Sequence, residues 1–229
     1  MVTTDLLSQI QVFSVLSPRT QRCIAEKALQ SEYPARHVLY HQGDAPTALY
    51  ALCAGRIKLF RQSGEKCQIL ALPMAGDCLG AESLSTGSPS PYSATTLTSV
   101  SVFYLAPEIM QVLLDEHPDF QEVYLKLITD RLKQFVTLVH DLAFRDVMSR
   151  LATILLSRAE LEGKDLRGDL VFDKLLSQQE FADMAGTARE VVYRTFRKLE
   201  EQEIIRLTPS TIAIRNINAL REIALQETR

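Results

Sequence analysis

The sequence predicts an α+β fold with a strand-rich N-terminal half, a long helix and a helical C-terminal half. Short apolar runs separated by turn residues fill positions 36–106, apolar residues at heptad spacing follow within 107–144, and two helix-start patterns come after position 176. Strands at this spacing are typical of an antiparallel barrel or sandwich. The predicted boundaries are 1–116 for the strand-rich domain, 117–144 for the long helix and 145–229 for the C-terminal domain.

The composition is that of an ordinary globular protein. Of 229 residues, 46% are apolar and 23% charged, and 25 Lys and Arg against 28 Asp and Glu give a formal net charge of −3. This excludes a disordered chain. No apolar run approaches the roughly 18 residues of a membrane span. The N-terminus carries Asp5 and lacks a basic segment before an apolar core, so it does not resemble a signal peptide. We therefore expect a cytoplasmic protein with no membrane partner.

Cysteine spacing and short motifs argue against an enzyme and against a metal site. The four cysteines, at positions 23, 53, 67 and 78, form no CxxC pair, which excludes a zinc ribbon and a thioredoxin-type motif. We expect four reduced, mostly buried thiols. Walker, GxGxxG and HExxH motifs are also missing from the sequence.

The segment before the strands is predicted to be helical. Ser17 and Pro18 form a helix start, and the helix is expected to run through Ile24 to Leu29. Beyond position 36, six of the nine glycines punctuate short strands, because sharp corners need a positive φ. The predicted strands include Val38–Tyr40, Leu49–Leu52, Ile57–Leu59, Ile69–Leu72 and Val100–Tyr104.

The long helix carries apolar residues spaced alternately by three and four positions. A heptad seam of this kind favours pairing with a second copy of the helix; packing on the chain's own barrel is the alternative. Leu127, Val136 and Leu138 lie off the seam and are expected to cover the barrel. The predicted seam consists of Leu125, Ile128, Leu132, Phe135, Val139 and Leu142.

Two capping boxes flank a glycine in the C-terminal domain. Ser177 with Glu180 opens one helix, and Thr187 with Glu190 opens the next. Gly186 permits a sharp turn between them, so the pair is predicted to be a helix-turn-helix. A small hairpin is predicted over 204–214, as a wing. The elements predicted before this pair are a helix from Asp146 to Leu161, a loop over 162–169 and a strand over 170–172.

The second helix of this pair carries four positive charges and one negative charge. Arg189, Glu190 and Arg194 are placed to read base edges, since arginine matches guanine and glutamate accepts from cytosine. The alternative is that Glu190 and Arg194, four residues apart, form only a surface ion pair. The expected phosphate contacts are Thr187, Arg197 and Lys198.

Short motifs occur in a fixed order along essentially the whole chain. They are His41–Asp44, Tyr50, Gly55–Lys58, Gly76–Gly80, Leu142–Val147, Gln179–Ala182, Gly186, Arg189–Arg194 and Leu199–Glu200. Together they resemble the cyclic AMP receptor/FNR (CRP/FNR) family of bacterial transcription regulators. The resemblance implies a cyclic-nucleotide-binding-type β-roll, a homodimer, and a winged helix-turn-helix that reads a palindromic site with GTGA-type half-sites. It also implies RNA polymerase as a partner and activation as the usual mode.

The effector pocket departs from the family's cyclic-AMP-binding pattern. Where that pattern has Gly-Glu-Leu and Arg-Ser-Ala, this chain has Gly80-Ala81-Glu82 and, allowing one inserted residue, Tyr92-Ser93-Ala94. A tyrosine thus replaces the phosphate-binding arginine, and Phe135-Val136 replaces the Thr-Ser pair offered to adenine. Cyclic AMP is not the expected effector unless Arg131 or Arg56 substitutes. The candidate pocket residues are Gly80, Glu82, Tyr92, Ser93, Arg131, Phe135 and Val136.

Effectors of other branches of the family stay open. Cys23 is alone in the N-terminal segment, so no iron–sulfur cluster is expected. The apolar Phe135-Val136 surface admits haem or another hydrophobic effector, or is simply a filled core. The hinge over 142–151 also resembles the nitrogen-control branch, which answers 2-oxoglutarate through arginines such as Arg131. The available haem ligands are His37, His41, His117 and His140.

The acidity of the chain is unevenly distributed. Residues 145–229 hold 14 basic and 14 acidic residues, so the net charge of −3 belongs to the N-terminal part. The overall charge therefore does not exclude DNA, although it indicates modest non-specific affinity. The alternative function is a ligand-binding regulatory module that acts on a protein partner, which leaves the charged helix without a role.

Overall fold

The computed structural model describes residues 7, 10–84, 86–166 and 168–227. The chain divides into two compact units, Met1–Phe135 and Val136–Arg229, and the predicted α+β fold class is confirmed. The N-terminal unit contains, in order, α1 (Gln11–Ser14), α2 (Pro18–Lys27), β1 (Leu29–Tyr33), β2 (Val38–Tyr40), β3 (Leu49–Ala54), β4 (Ile57–Ser63), β5 (Lys66–Ala71), β6 (Cys78–Leu79), α3 (Ala81–Leu84), β7 (Ser93–Thr96), β8 (Val100–Leu105), α4 (Pro107–Glu116) and most of α5 (Pro118–Phe144).

The strands of this unit form two antiparallel four-stranded sheets, ordered β1-β8-β3-β6 and β2-β7-β4-β5. Adjacent residues of a strand point to opposite faces, so β8 is buried on both sides. Val102 packs into a core inside the roll, whereas Phe103 packs into a second core against the helices. In that helical core the Phe13 ring lies 5.7 Å from Phe103 and 6.4 Å from Phe120.

Two boundaries differ from the sequence prediction. The helix predicted to reach Leu29 ends at Lys27, and Leu29 instead begins β1, where it pairs with Tyr104 of β8. That pairing is a long-range contact which local periodicity does not encode. The periodic segment from 107 onward is two helices, because the residue before a proline disfavours helical geometry; His117, before Pro118, has φ −128° and ψ 89°.

The C-terminal unit holds the rest of α5 and a compact helical module with a four-stranded sheet, ordered β11 (Ile205–Leu207), β12 (Thr211–Ile214), β10 (Asp169–Asp173) and β9 (Lys164–Leu166). Asp146 caps the first helix of the module by accepting from the Ser149 N–H at 2.7 Å. The predicted loop over 162–169 is wrong in part, since Lys164–Leu166 pairs as a strand with β10. The elements are α6 (Val147–Glu162), β9 (Lys164–Leu166), β10 (Asp169–Asp173), α7 (Gln178–Ala185), α8 (Arg189–Glu201), β11 (Ile205–Leu207), β12 (Thr211–Ile214) and α9 (Ile217–Ala224).

The hinge between α5 and α6 is fastened to the end of α9. Arg145 donates to the Ala224 carbonyl at 2.9 Å, and the Ser149 hydroxyl donates to the same carbonyl at 3.1 Å. Arg150 donates to the carbonyl of Arg145 at 2.7 Å. The hinge is therefore held by the C-terminal unit. Within the described residues, none of the helices has the length and apolar character needed to span a membrane.

Candidate nucleic-acid interface and effector pocket

The turn between α7 and α8 is built by caps on α7. The predicted capping box is present: Ser177 Oγ accepts from the Glu180 N–H at 3.2 Å, and Glu180 accepts from the Ser177 N–H at 2.9 Å. Gly186 ends the helix with φ +62°, a left-handed conformation that glycine adopts without strain. The Thr187 N–H then donates to the Ala182 carbonyl at 3.0 Å, which closes the turn. The chain can therefore reverse into α8 within a few residues.

The second predicted capping box is wrong. The residue that caps α8 is Ala188, and no side-chain cap bond is present. Thr187 lies one residue too early, because its backbone is committed to the turn that ends α7. Its half-buried side chain still lies at the start of α8.

One face of α8 is buried in the module. Its buried residues are Val192, Thr195, Phe196 and Leu199. The Phe196 ring lies 5.2 Å from Phe181 of α7 in an edge-to-face arrangement, which fixes the two helices against each other. Because a helix turns by about 100° per residue, the opposite face of α8 must point outward.

That outward face carries the predicted charged residues in unpaired form. Arg189, Glu190 and Arg194 are exposed, and none makes an ion pair or side-chain hydrogen bond with any residue that the structure describes. The alternative of a Glu190–Arg194 surface ion pair is therefore not observed. Arg197 and Lys198 are also exposed and likewise have no partner among the described residues. The sequence reasoning missed Tyr193, which is 50% exposed on the same face, although the helical phase of the buried residues would have placed it there.

The predicted hairpin lies beside α8 and is anchored to it. Strands β11 and β12 pair as an antiparallel hairpin, and the Leu207 N–H donates to Glu200 of α8 at 2.9 Å. Thr208 and Thr211 share a hydroxyl hydrogen bond of 2.7 Å at the tip. The exposed Arg206 of β11 adds a cation to the hairpin. This is the geometry of a winged helix-turn-helix.

Two of the candidate pocket residues have structural roles in the roll. Gly80 has φ +91°, and a Cβ there would lie 2.4 Å from the Ala48 carbonyl oxygen, so only glycine fits. Ser93 Oγ accepts from the Gln42 N–H at 2.9 Å and is buried.

Aromatic side chains fill the interior of the roll. Tyr92 is 1% exposed, and its ring lies 6.2 Å from Tyr40 and 6.4 Å from Phe135 of α5. Desolvation by burial is the main cause that raises the pKa of both tyrosines, and the charge of Glu82 adds to it. Both phenols are therefore neutral.

Arg131, the cation beside this interior, is held by three hydrogen bonds. Arg131 Nε donates to Glu82 at 3.0 Å, and the guanidinium also donates to the Cys78 carbonyl at 3.1 Å and to Gln134 at 2.7 Å. Beside this interior, three buried oxygens lack a hydrogen-bond partner among the described residues: Tyr40 Oη, Tyr92 Oη and the second carboxylate oxygen of Glu82. Arg56, the other candidate cation, forms an isolated antiparallel β-bridge with Met74. The side chains that face this interior are therefore phenols and a carboxylate, with Arg131 already hydrogen-bonded to Glu82.

At the centre of the predicted seam on α5, the exposed residue is Val136 rather than Phe135. Phe135 is partly buried against the roll core, whereas its neighbour Val136, predicted to cover the barrel and to line the pocket, is 61% exposed. Ile128 and Leu142 are also partly buried. Large apolar residues in exposed positions on α5 are Leu125 (66%), Leu132 (61%), Val136 (61%) and Val139 (65%).

Three of the candidate haem ligands make local contacts with other side chains. His117 is buried and shares a 2.9 Å hydrogen bond with Thr20, and the exposed His37 stacks on Tyr33 at 4.7 Å. The Nδ1 atom of His140 lies 3.4 Å from Oδ1 of Asp141. Burial raises the pKa of the Cys78 thiol, which disfavours its reactive thiolate. Within the described ranges no group of three or more His, Cys, Asp or Glu residues is placed to hold a metal ion.

Comparisons with known proteins agree with both halves of this architecture. The model of the cyclic nucleotide-binding domain matches residues 30–117, and that of the Crp-like helix-turn-helix domain matches residues 149–223. The global nitrogen regulator of Synechococcus elongatus is 32% identical over 186 residues, covering 80% of this chain and 83% of that protein.

Two further relatives extend the comparison over almost the whole chain. The CRP-like cAMP-activated global transcriptional regulator of Mycobacterium tuberculosis is 25% identical over 211 residues, covering 92% of this chain and 94% of its own length. The structure of the c-di-GMP responsive global regulator CLP from Xanthomonas campestris shares the fold, with a TM-score of 0.76 at 19% identity over 86% of this chain and 99% of that one. With its roll, long helix and winged helix-turn-helix in the same order, the chain belongs to the CRP/FNR family of DNA-binding transcription regulators.

Proposed function

We propose that this regulator is a homodimer that binds a palindromic DNA site with GTGA-type half-sites and activates transcription there, through contact with RNA polymerase, without requiring cyclic AMP. Residues 1–116 form the effector-sensing domain, 117–144 the dimerisation helix and 145–229 the DNA-binding domain. The observation that carries this proposal is the set of unpaired charged side chains on the outward face of α8.

These side chains favour sequence-specific binding in the major groove. Arg189 and Glu190 lie in the first turn of α8, the part of a recognition helix that reaches base edges. Arg194 lies four residues after Glu190 and hence on the same face. Arginine suits guanine and glutamate suits cytosine, so the three residues match the bases of a GTGA-type half-site. Arg197 and Lys198, further along the helix, suit phosphate contacts, and Thr187 suits one at its start.

The exposed apolar residues of α5 support a dimer. Leu125, Leu132, Val136 and Val139 follow steps of seven, four and three residues and are each more than 60% exposed. Apolar residues at heptad spacing bury themselves against a second helix. A parallel pair of such helices carries two DNA-binding modules, and two modules match a palindrome.

The interior of the roll supports independence from cyclic AMP. Tyr92 stands where the family's pattern has the phosphate-binding arginine, and Phe135 packs against it. Arg131 is held by Glu82 and Gln134, so a bound phosphate would have to break that ion pair. The arginine is likewise not free to hold the carboxylates of 2-oxoglutarate.

The proposal is tested by selecting duplexes from a random pool with the full-length protein. We expect enrichment of inverted GTGA-type half-sites whose centres lie about 10–10.5 base pairs apart, with two chains per duplex in sedimentation. Leu132→Asp should abolish dimers and weaken binding, whereas Leu161→Asp, at an equally exposed leucine of α6 (59%), should change neither. Failure to enrich any sequence, or binding of single half-sites by one chain, would overturn the proposal. Transcription from the selected site, with and without the protein, distinguishes activation from repression.

A further inference from the structure

Tyr193 is the one large apolar side chain on the outward face of α8 among the described residues. It is 50% exposed, in the middle of a helix whose other outward residues are charged. Among the described residues, its ring contacts no other aromatic ring and its hydroxyl makes no hydrogen bond. A half-exposed tyrosine without a partner in its own domain is a candidate contact for a ligand of that domain.

Helix geometry places Tyr193 on the same face of α8 as the proposed base-reading residues. It lies one turn after Arg189, one turn before Arg197 and three residues after Glu190, so all four side chains share one face. Side chains of a helix lean toward its N-terminus. The ring of Tyr193 therefore leans toward the turn that holds Arg189 and Glu190.

Packing within the module does not account for this residue. The buried side of α8 is formed by Val192, Thr195, Phe196 and Leu199, and Tyr193 lies on the other side. Because apolar surface is stabilised by removal from water, the ring gains from a partner that covers it. On a surface that meets DNA, that partner is a group in the major groove.

We infer that Tyr193 contacts the C5-methyl group of a thymine in each half-site, next to the bases read by Arg189 and Glu190. This inference rests on the proposed function. In a duplex the faces of the bases are stacked on one another, so a ring inserted in the groove meets only base edges. Thymine is the base whose major-groove edge offers an apolar group. Tyr193 is thus a specificity-determining residue for thymine.

The test uses duplexes selected by the full-length wild-type protein, with each thymine of both half-sites replaced in turn by deoxyuridine, which removes only the methyl group. At one position the wild-type protein should bind about fourfold more weakly per half-site, the value of one buried methyl group. Tyr193→Ala should bind the thymine duplex more weakly and show no difference between thymine and deoxyuridine. Tyr193→Phe should keep the difference, because the ring makes the contact. Leu161→Ala, at another exposed apolar residue of the same unit, should behave as wild type.

Two outcomes would overturn the inference while the proposed function stands. One is tight wild-type binding of the selected duplex with no loss at any deoxyuridine position. The other is an equal loss for Tyr193→Phe and Tyr193→Ala, which would assign the hydroxyl to a phosphate. If the wild-type protein selects no duplex at all, the proposed function fails, and the inference fails with it.

Discussion

The arginine beside the roll interior and the arginines of α8 differ in whether they have partners within the protein. Arg131, beside the roll, gives its donors to Glu82, the Cys78 carbonyl and Gln134. Arg189 and Arg194 of α8 have no partner among the residues the structure describes. A cation that is already paired stabilises the fold, whereas an unpaired cation on a rigid helix is available to an anionic partner. This contrast is the basis on which we propose that the arginines of α8, rather than the arginine beside the roll, bind an anionic partner.

The same contrast appears in the aromatic residues. Tyr92 is fully buried between Tyr40 and Phe135 and fills the roll, while Tyr193 stands half-exposed on α8. The aromatic side chains of the roll complete a core, whereas Tyr193 of α8 is exposed to a ligand. Substitutions in the two regions should accordingly change different properties, stability in the first and DNA binding in the second.

The largest effect is expected where the paired cation is removed. Arg131→Ala leaves Glu82 largely buried and unpaired, with 17% of its side chain exposed. This should lower the free energy of unfolding by about 3 kcal/mol, measured by urea denaturation. Arg197→Ala, at an unpaired cation, should stay within about 0.5 kcal/mol of wild type. Adding Glu82→Gln to Arg131→Ala should restore part of the loss; an unchanged midpoint in the single variant would contradict the role of the ion pair.

Removal of a base-reading residue should weaken specific binding and leave stability unchanged. Arg189→Ala should cost about 1–3 kcal/mol of DNA binding in each half-site and relax the preference at one base position. Arg61→Ala is the matched control, since Arg61 is an exposed and unpaired arginine of the roll. Binding to a panel of single-base variants of the site measures both. A uniform loss on every DNA, with base preferences intact, would show that Arg189 contacts a phosphate.

A phosphate contact should leave a different signature. Arg197→Ala should weaken binding to all duplexes alike and lower the slope of log affinity against log salt by about 1 per half-site. Fluorescence anisotropy over a range of potassium chloride concentrations gives this slope. An unchanged slope together with altered base preference would move Arg197 into the base-reading group.

The smallest effect concerns a carboxylate that joins two helices of the N-terminal unit. Asp119 of α5 accepts from the Ser17 N–H and from the Thr20 hydroxyl, both at 2.8 Å. Burial alone would raise the pKa of Asp119, but these hydrogen bonds outweigh it and hold the pKa below its usual value. A lowered pKa in the folded state stabilises the fold above the usual aspartate pKa and loses that contribution as the pH falls through the lowered value.

Asp119→Asn should therefore be less stable than wild type at neutral pH, by no more than about 1 kcal/mol because solvent screens the site. The difference should shrink as the pH falls below 4, measured by thermal unfolding at several pH values. A difference that stays constant with pH would assign the effect to altered hydrogen bonding rather than to ionisation.

Local patterns in the sequence predicted the elements that local interactions determine. The capping box at Ser177 and the glycine turn at Gly186 each depend on residues within one helical turn, and both are present. The order of the motifs also predicted the family. The capping box predicted at Thr187 is absent because the backbone of this residue forms the turn that ends α7. Two neighbouring elements compete for the same residue, which the motif alone does not show.

Long-range contacts account for the remaining differences. Leu29 becomes a strand residue because β8, some 75 positions later, pairs with it. Phe135 and Val136 are adjacent and both apolar, so heptad spacing alone does not choose between them. The choice is made by Tyr92, which holds Phe135 against the roll and leaves Val136 outside. That Tyr193 lies on the outward face of α8 is visible only once the buried face of the helix is known.

The most direct test of the contrast between the two regions is the affinity of the full-length protein for its selected duplex, measured by fluorescence anisotropy with and without saturating cyclic AMP. A ligand shifts a conformational equilibrium only by its differential affinity for the two states. Because the roll is filled by Tyr92 and its cation is held by Glu82, we predict tight binding and the same affinity in both titrations. Binding that appears only when cyclic AMP is added would contradict this account.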